Sequence, residues 1–199
     1  YNIFLVLYNA AIRIAALWNT KAKLRLAGSK GAVSGVARWV AWSGVGVWGV
    51  GKGARGPEKA TPNTRNPKPD VVWMHCASLG EFEQGRPLLE TIRRSYPTAR
   101  IVLTFFSPSG YEIRKNYDGA DYVAYLPMDS KHAARDFIDI VKPSLVLWVK
   151  YEYWYYFLVE LKKRNIPALL GSGIFRHDQR FFKWYGRLHR YMLESFSHF

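Results

Sequence analysis

Short apolar runs alternate with amphipathic stretches over the second two-thirds of the chain. Runs rich in β-branched and aromatic residues predict strands at 71–76, 100–106, 121–127, 144–150 and 167–173. The stretches between them have the helical pattern, at 85–96, 111–117, 130–141 and 153–164. This alternation is typical of successive βαβ units, and nearly continuous apolar strands indicate a sheet covered on both faces. The sequence therefore predicts an α/β fold with a doubly wound parallel sheet over residues 71–199.

A separate apolar helix is predicted at residues 1–20. Its polar positions are Asn2, Asn9, Arg13, Asn19 and Thr20, and all but Asn19 fall within about 20° of one line on a helical projection. Aromatic residues at both ends suit lipid headgroups. We expect this helix to lie at a membrane interface, although packing against a half of the protein beyond this chain would also satisfy the pattern.

Residues 21–70 have the composition of a Gly-rich linker. Two patterns in them imitate phosphate-binding loops, G-x-G-x-x-G at 44–49 and G-x-x-x-x-G-K at 46–52. The first is followed by a Gly, Pro and Asn run instead of a helix, and the second has Gly53 where Ser or Thr would bind magnesium. We therefore interpret neither as a nucleotide site.

The charge predicts an anionic partner. Lys and Arg number 29 against 15 Asp and Glu, a net charge of +14, which suits nucleic acid, anionic lipid or a phosphorylated substrate. The single cysteine, Cys76, excludes an internal disulfide and a cysteine-paired metal site. No His or carboxylate spacing predicts a metal centre, so no metal is expected.

The candidate functional side chains follow the carboxyl ends of the predicted strands. The carboxyl ends of parallel strands open into one crevice, which gathers side chains from separate loops. These are Glu81, Ser107, Ser109, Asp129, Glu152 and Arg176. Taken singly, the serines are also ordinary turn residues, and Asp129 or Ser130 is also a typical helix N-cap. His75 is more simply a strand-end histidine than a base.

Glu81 has two interpretations. Ser78-x-x-Glu81 fits a capping box, in which the glutamate reaches back to the N-cap N–H. A carboxylate at the end of a strand in such a sheet also fits a general base. The spacing alone leaves both open.

Five segments in serial order resemble the N-terminal half of the 3-deoxy-D-manno-octulosonic acid (Kdo) transferases, in a variant similar to those of Bacteroidetes. They are HCASLGEFEQGRPLL, LTFFSPSGYE, YLPMDS, PSLVLWVKYEYW and NIPALLGSGIFR, and the resemblance covers residues 71 to about 191. It implies a Rossmann-like domain of a GT-B glycosyltransferase, with a C-terminal donor domain beyond this chain and an acceptor-side role for residues 21–70. It also implies Glu81 as the general base of an inverting transfer.

The same resemblance implies substrate-binding residues, which are Ser78, Gly80, Ser107, Ser109, Glu152 and Arg176. The sequence departs from the family at Lys150, where a second acidic residue is common, and at Tyr155, where Pro is common.

The implied partners are CMP-Kdo as donor substrate, a lipid A precursor as acceptor, and lipid of the inner membrane at its cytoplasmic face. No cofactor and no nucleic acid are expected. The alternative function is a non-catalytic basic α/β module that binds anionic membrane or nucleic acid, which the charge alone would permit.

Overall fold

The computed structural model describes residues 1–42, 69–150 and 152–199. Its centre is a five-stranded parallel sheet in the order β3-β2-β1-β4-β5. The strands are β1 (Val71–Cys76), β2 (Arg100–Phe105), β3 (Tyr122–Tyr125), β4 (Leu145–Val149) and β5 (Ala168–Gly171). The predicted α/β fold with a Rossmann-like sheet is confirmed.

The strand order places the reversal of winding between β1 and β4. These two strands pair in parallel from Val72 against Leu145 to Cys76 against Val149. Helices from the two halves of such a sheet lie on opposite faces, which leaves a crevice at the carboxyl ends of the central strands. Chemistry is therefore expected where the chain leaves β1 and β4.

Helices cover both faces of the sheet. They are α1 (Asn2–Ala15), α2 (Thr20–Lys30), α3 (Ala32–Trp42), α4 (Leu79–Ser95), α5 (Pro108–Arg114), α6 (Lys131–Val141), α7 (Tyr155–Lys163) and α8 (Arg187–Leu193), with a 3-10 turn at Arg180–Phe182. On one face Phe82 and Leu89 of α4 pack on alternate side chains of β1 and β2. On the other, Phe137 and Phe157 pack against Trp73.

Helix α4 approaches the sheet closely at Gly85. A Cβ there would lie 2.0 Å from Met74 Cε and 2.8 Å from Val149 Cγ2. The glycine lets the helix that begins beside β1 lie directly on the two central strands. The prediction placed the start of this helix at residue 85, whereas it begins at Leu79 and so includes Glu81 in its first turn.

The interpretation of residues 21–70 as a linker is wrong over its described part, 21–42, which is helical. Val36 of α3 is fully buried, and Trp39 stacks on Tyr122 of β3 with ring centroids 5.2 Å apart. Val36, Trp39 and Val40 recur at helical spacing and pack on the sheet domain. The glycine patterns at 44–52 lie outside the described residues.

Helix α1 contacts the sheet domain through one side only. Leu5 is buried and Tyr8 stacks against Phe106, with ring centroids 6.1 Å apart. Most of its remaining apolar side chains are exposed, including Ile3, Phe4, Val6, Leu7 and Ile14. Among the helices of the described residues, none combines the length and apolar character needed to cross a membrane.

Candidate functional site

Among the described residues, one carboxylate oxygen of Glu81 is hydrogen-bonded at the start of α4, and the other is not. Its Oε2 accepts a hydrogen bond from the Ser78 backbone N–H at 2.8 Å, and the Ser78 hydroxyl lies 3.4 Å away. This is the glutamate half of a capping box at the first turn of α4. Both contacts use the same oxygen, and within the described chain Oε1 makes no hydrogen bond. The capping interpretation is therefore correct, and it leaves one carboxylate oxygen for another partner.

Two of the three predicted serines are helix N-caps, and the third, Ser109, lies in the first turn of α5 with its hydroxyl 3.0 Å from that of Ser107. Ser78 is the N-cap of α4, and Ser107 is the N-cap of α5, where its Oγ accepts from the Ser109 N–H at 3.3 Å. The Ser107 N–H donates to the Ala77 carbonyl at 2.7 Å, which joins the loops after β1 and β2. Gly80 is exposed in the first turn of α4. Their proximity to Glu81 is consistent with substrate contacts, which stay a prediction.

Glu152 enters the crevice from the loop after β4. Lys150 turns the chain there in a left-handed conformation, with φ of 60°, and the Glu152 carbonyl accepts from Trp148 Nε1 at 2.6 Å. The side chain lines a cavity of about 230 Å³ with Phe106 and Trp154. Its Oε2 is buried without a hydrogen-bond partner among the described residues. Burial, and secondly the negative charge of Glu81, raise the pKa of Glu152 to about 7.

The helix predicted at 153–164 begins two residues later than expected. Helix α7 begins at Tyr155, after Glu152, and its first turn is capped by Asp129 from the loop after β3. Asp129 Oδ2 accepts from the Tyr156 N–H and Oδ1 from the Phe157 N–H, each at 3.2 Å. The Tyr1 hydroxyl donates to the same carboxylate. Asp129 thus connects α1, β3 and α7, while Ser130 caps α6.

Burial dominates the electrostatics of Asp129. The residue is 2% exposed, and desolvation raises the pKa of its carboxyl to about 6, although the hydrogen bonds it accepts act in the opposite direction. A carboxylate fully occupied by the start of a helix is a structural group. Asp129 therefore organises the crevice wall instead of meeting a substrate.

Arg25 is a residue of the crevice wall that the sequence did not indicate. It is 4% exposed, and its Nη2 donates to the Leu126 carbonyl, directly after β3, at 2.8 Å. The guanidinium carbon lies 4.2 Å from the centre of the Phe106 ring. Nε and Nη1 are buried without partners among the described residues. Burial lowers the pKa of Arg25 to about 10, so it remains charged at neutral pH.

His75 and Cys76 are core residues. His75 is fully buried beside Trp148, and its Nδ1 lies 3.0 Å from the Thr104 hydroxyl. Burial and the charge of Arg25 lower the pKa of His75 to about 3, so the ring is neutral. Burial raises the pKa of the Cys76 thiol, which excludes a thiolate nucleophile at neutral pH. No group of three metal-ligating side chains occurs among the described residues.

Arg176 lies apart from the two glutamates. It is exposed in the loop after β5, where its backbone N–H donates to Gln179 Oε1 at 2.8 Å. It lines a larger cavity, of about 810 Å³, together with Tyr153. The described crevice thus brings together Glu81, Ser78, Ser107 and Glu152, with Arg176 at its side.

Comparison with known proteins gives consistent matches. A family model described as 3-deoxy-D-manno-octulosonic-acid transferase (kdotransferase) matches residues 54–199. The chain is 29% identical over 136 residues to 3-deoxy-D-manno-octulosonic acid transferase of Haemophilus influenzae, covering 68% of this chain and 31% of that protein. It is 32% identical over 104 residues to the protein of the same name from Aquifex aeolicus, and the match covers 52% of this chain and 28% of that protein.

The chain spans about a third of the length of these relatives. Among solved structures, UDP-GlcNAc 2-epimerase from Neisseria meningitidis is similar with a TM-score of 0.45 and 15% identity, covering 65% of this chain and 39% of that one. This likeness is too weak to bear on function. The family model matches most of the chain, including both glutamates of the crevice, and the chain therefore belongs to the 3-deoxy-D-manno-octulosonic-acid transferase family.

Proposed function

We propose that this chain is the acceptor half of an inverting GT-B glycosyltransferase that transfers Kdo from CMP-Kdo to a lipid A precursor in lipopolysaccharide synthesis. The observation that carries the proposal is the hydrogen bonding of the Glu81 carboxylate. One carboxylate oxygen is fixed by the start of α4, and the other has no hydrogen bond within the described chain. A fixed carboxylate with one available oxygen, at the reversal of winding of an α/β sheet, is suited to general-base catalysis.

The proposed step is a direct displacement. The acceptor hydroxyl oxygen forms a bond to the anomeric carbon of Kdo as the bond from that carbon to the CMP phosphate oxygen breaks. Glu81 Oε1 takes the hydroxyl proton, and CMP leaves with the bonding electron pair. The leaving phosphate needs cationic stabilisation, which we assign to the donor domain.

Glu152 is suited to binding the acceptor sugar. Because burial and the charge of Glu81 raise its pKa to about 7, a substantial fraction is protonated at neutral pH. A neutral carboxyl donates a hydrogen bond to a sugar oxygen and does not add a second full negative charge beside the base. Phe106 and Trp154 line the same cavity and give it an apolar wall.

We further propose that the protein works at the cytoplasmic face of the inner membrane. The acceptor is phosphorylated and acylated, so it would match both the charge of +14 and the exposed apolar side chains of α1. Leu7 of α1 and Trp18, which follows α1, are 64% and 80% exposed and are available to contact lipid.

A transfer assay tests the proposal. The protein with its donor domain is incubated with CMP-Kdo and a tetraacylated, bisphosphorylated glucosamine disaccharide, and the product is examined by mass spectrometry and NMR. We expect addition of Kdo with inversion at the anomeric carbon. No transfer, or retention of configuration, would show that the proposed reaction is wrong.

A further inference from the structure

A cavity beside the site lies between α1 and the segment 174–192. Its volume is about 810 Å³, within the range of cavities that hold small ligands. Most of its wall is apolar and includes Phe4, Ile174, Phe181, Leu188 and Met192. Ile174 and Phe4 are 57% and 61% exposed, so the cavity leaves large apolar side chains facing solvent.

Two cations accompany this apolar wall. Arg176 and Arg180 both line the cavity, and none of the described residues that line it is acidic. Asp178 lies 3.8 Å from Arg176, but both side chains are about three-quarters exposed, so this pair contributes little. An apolar cavity edged by arginines matches a ligand with a hydrocarbon part and an anionic group.

The cavity adjoins the crevice that contains Glu152. Tyr1, Phe4 and Tyr153 line both this cavity and the smaller one of about 230 Å³ beside Glu152. The Tyr1 hydroxyl donates to Asp129, which caps α7, so this shared wall is anchored to the sheet domain. A ligand whose hydrocarbon occupied the larger cavity would therefore have its polar end close to the site.

We propose that this cavity binds one acyl chain of an anionic amphiphile, with Arg176 and Arg180 holding the anionic group. Naming that amphiphile as the glycosyl acceptor rests on the proposed function, whereas the binding of a hydrocarbon chain with an anionic head does not. Segment 174–192 then serves as an acyl-chain subsite beside the crevice.

Titration with alkyl phosphates tests the subsite. Hexyl, octyl, decyl and dodecyl phosphate, each below its micelle concentration, are titrated into the chain by calorimetry. We expect saturable one-to-one binding whose affinity rises about fourfold for each methylene added, since each buried CH₂ adds about 0.8 kcal/mol. Affinity that does not depend on chain length would overturn the proposal.

Matched variants locate the binding. Ile174→Glu places a charge in the cavity without removing a buried side chain, and we expect it to weaken dodecyl phosphate binding at least about tenfold. Ile113→Glu is the control, since Ile113 is 59% exposed on α5 and does not line the cavity. Arg180→Gln should weaken binding about threefold to tenfold, and Arg94→Gln on α4 should have no effect.

Other occupants give different results. Binding to anionic vesicles without binding of monomeric alkyl phosphate would show a membrane-contact surface in place of a chain subsite. Dimerisation that Ile174→Glu abolishes, again without alkyl phosphate binding, would show an interface between copies. Both results overturn the proposal. Alkyl phosphate binding without Kdo transfer would contradict the proposed function and leave the subsite standing. Kdo transfer without chain-length-dependent binding would contradict the subsite and leave the proposed function standing.

Discussion

The substitution Glu81→Gln separates the structural and catalytic roles of one side chain. Glutamine has the same length, and its carbonyl oxygen can still accept the hydrogen bond that Glu81 Oε2 receives from the Ser78 N–H at 2.8 Å. What the substitution removes is the negative charge and the ability to take a proton. The variant therefore tests the base while preserving the cap.

The expected stability loss is small. The hydrogen bond persists, so the cost is the interaction of the carboxylate charge with the N-terminus of α4, about 0.3–1 kcal/mol. For a chain of this length, about 1 kcal/mol changes the melting temperature by about 2–4 °C. The expected loss of turnover is much larger, about 10² to 10⁴, because the acceptor hydroxyl keeps its proton during attack.

The assay compares initial rates of Kdo transfer with thermal unfolding of the same preparations. Glu83→Gln is the matched control, because Glu83 lies two residues further along α4 and forms ion pairs with Arg86 and Arg114. It should lose stability comparably and keep its turnover. Ser78→Ala is a second control that weakens the cap and leaves the Glu81 carboxylate.

Near-normal turnover in Glu81→Gln, together with a lowered melting temperature, would refute the reasoning. Glu81 would then be a cap alone. Glu152 would be the remaining carboxylate of the crevice, and the base would have to be sought there.

Other consequences can be measured independently. Glu152→Gln should stabilise the protein by about 1–3 kcal/mol more at pH 8 than at pH 4. The pKa of Glu152 is raised to about 7 from 4.5, so its contribution to the free energy of unfolding is complete below pH 4.5 and is lost as the pH rises through 7. Denaturant titrations at both pH values check this, and an equal effect at both would contradict it. Deleting residues 1–20 should reduce liposome flotation and leave the cooperative unfolding transition in place. Loss of the cooperative transition would show that α1 is part of the core. Residues 1–199 alone should not transfer Kdo if the donor site lies in the proposed second domain, and transfer by this chain would contradict that two-domain proposal. Gly85→Val should lower the melting temperature markedly, since its side chain would collide with Met74, and unchanged unfolding would contradict the close packing.

The strands of the sheet were predictable because each is indicated by residues that are neighbours in the sequence. Each strand is a short apolar run bounded by turn residues, and each run predicted from the sequence contains an observed strand. The cap formed by Ser78 and Glu81 was also predictable, since a capping box is a local pattern. These features depend on neighbours within a few residues.

The rest of the site depends on distant contacts. Asp129 caps a helix whose first turn lies 27 residues further along the chain, and no local pattern indicates that pairing. Arg25 meets the Leu126 carbonyl across 101 residues. The glycines of residues 21–70 predicted a linker, whereas Val36 and Trp39 form a helix because the sheet domain offers them a surface.

Arg25 adds a positive charge to the crevice that contains the two carboxylates. Burial, and secondly the negative charge of Glu81, raise the pKa of Glu152, and the positive charge of Arg25 lowers it by a smaller amount. Arg25 is buried against Phe106, and its effect on the pKa of Glu152 is smaller than the effects of burial and of Glu81. Without it, burial and Glu81 would hold Glu152 protonated to a higher pH. The guanidinium thus contributes to keeping the pKa of Glu152 near neutrality, where the carboxyl can either donate or accept a hydrogen bond beside the proposed base.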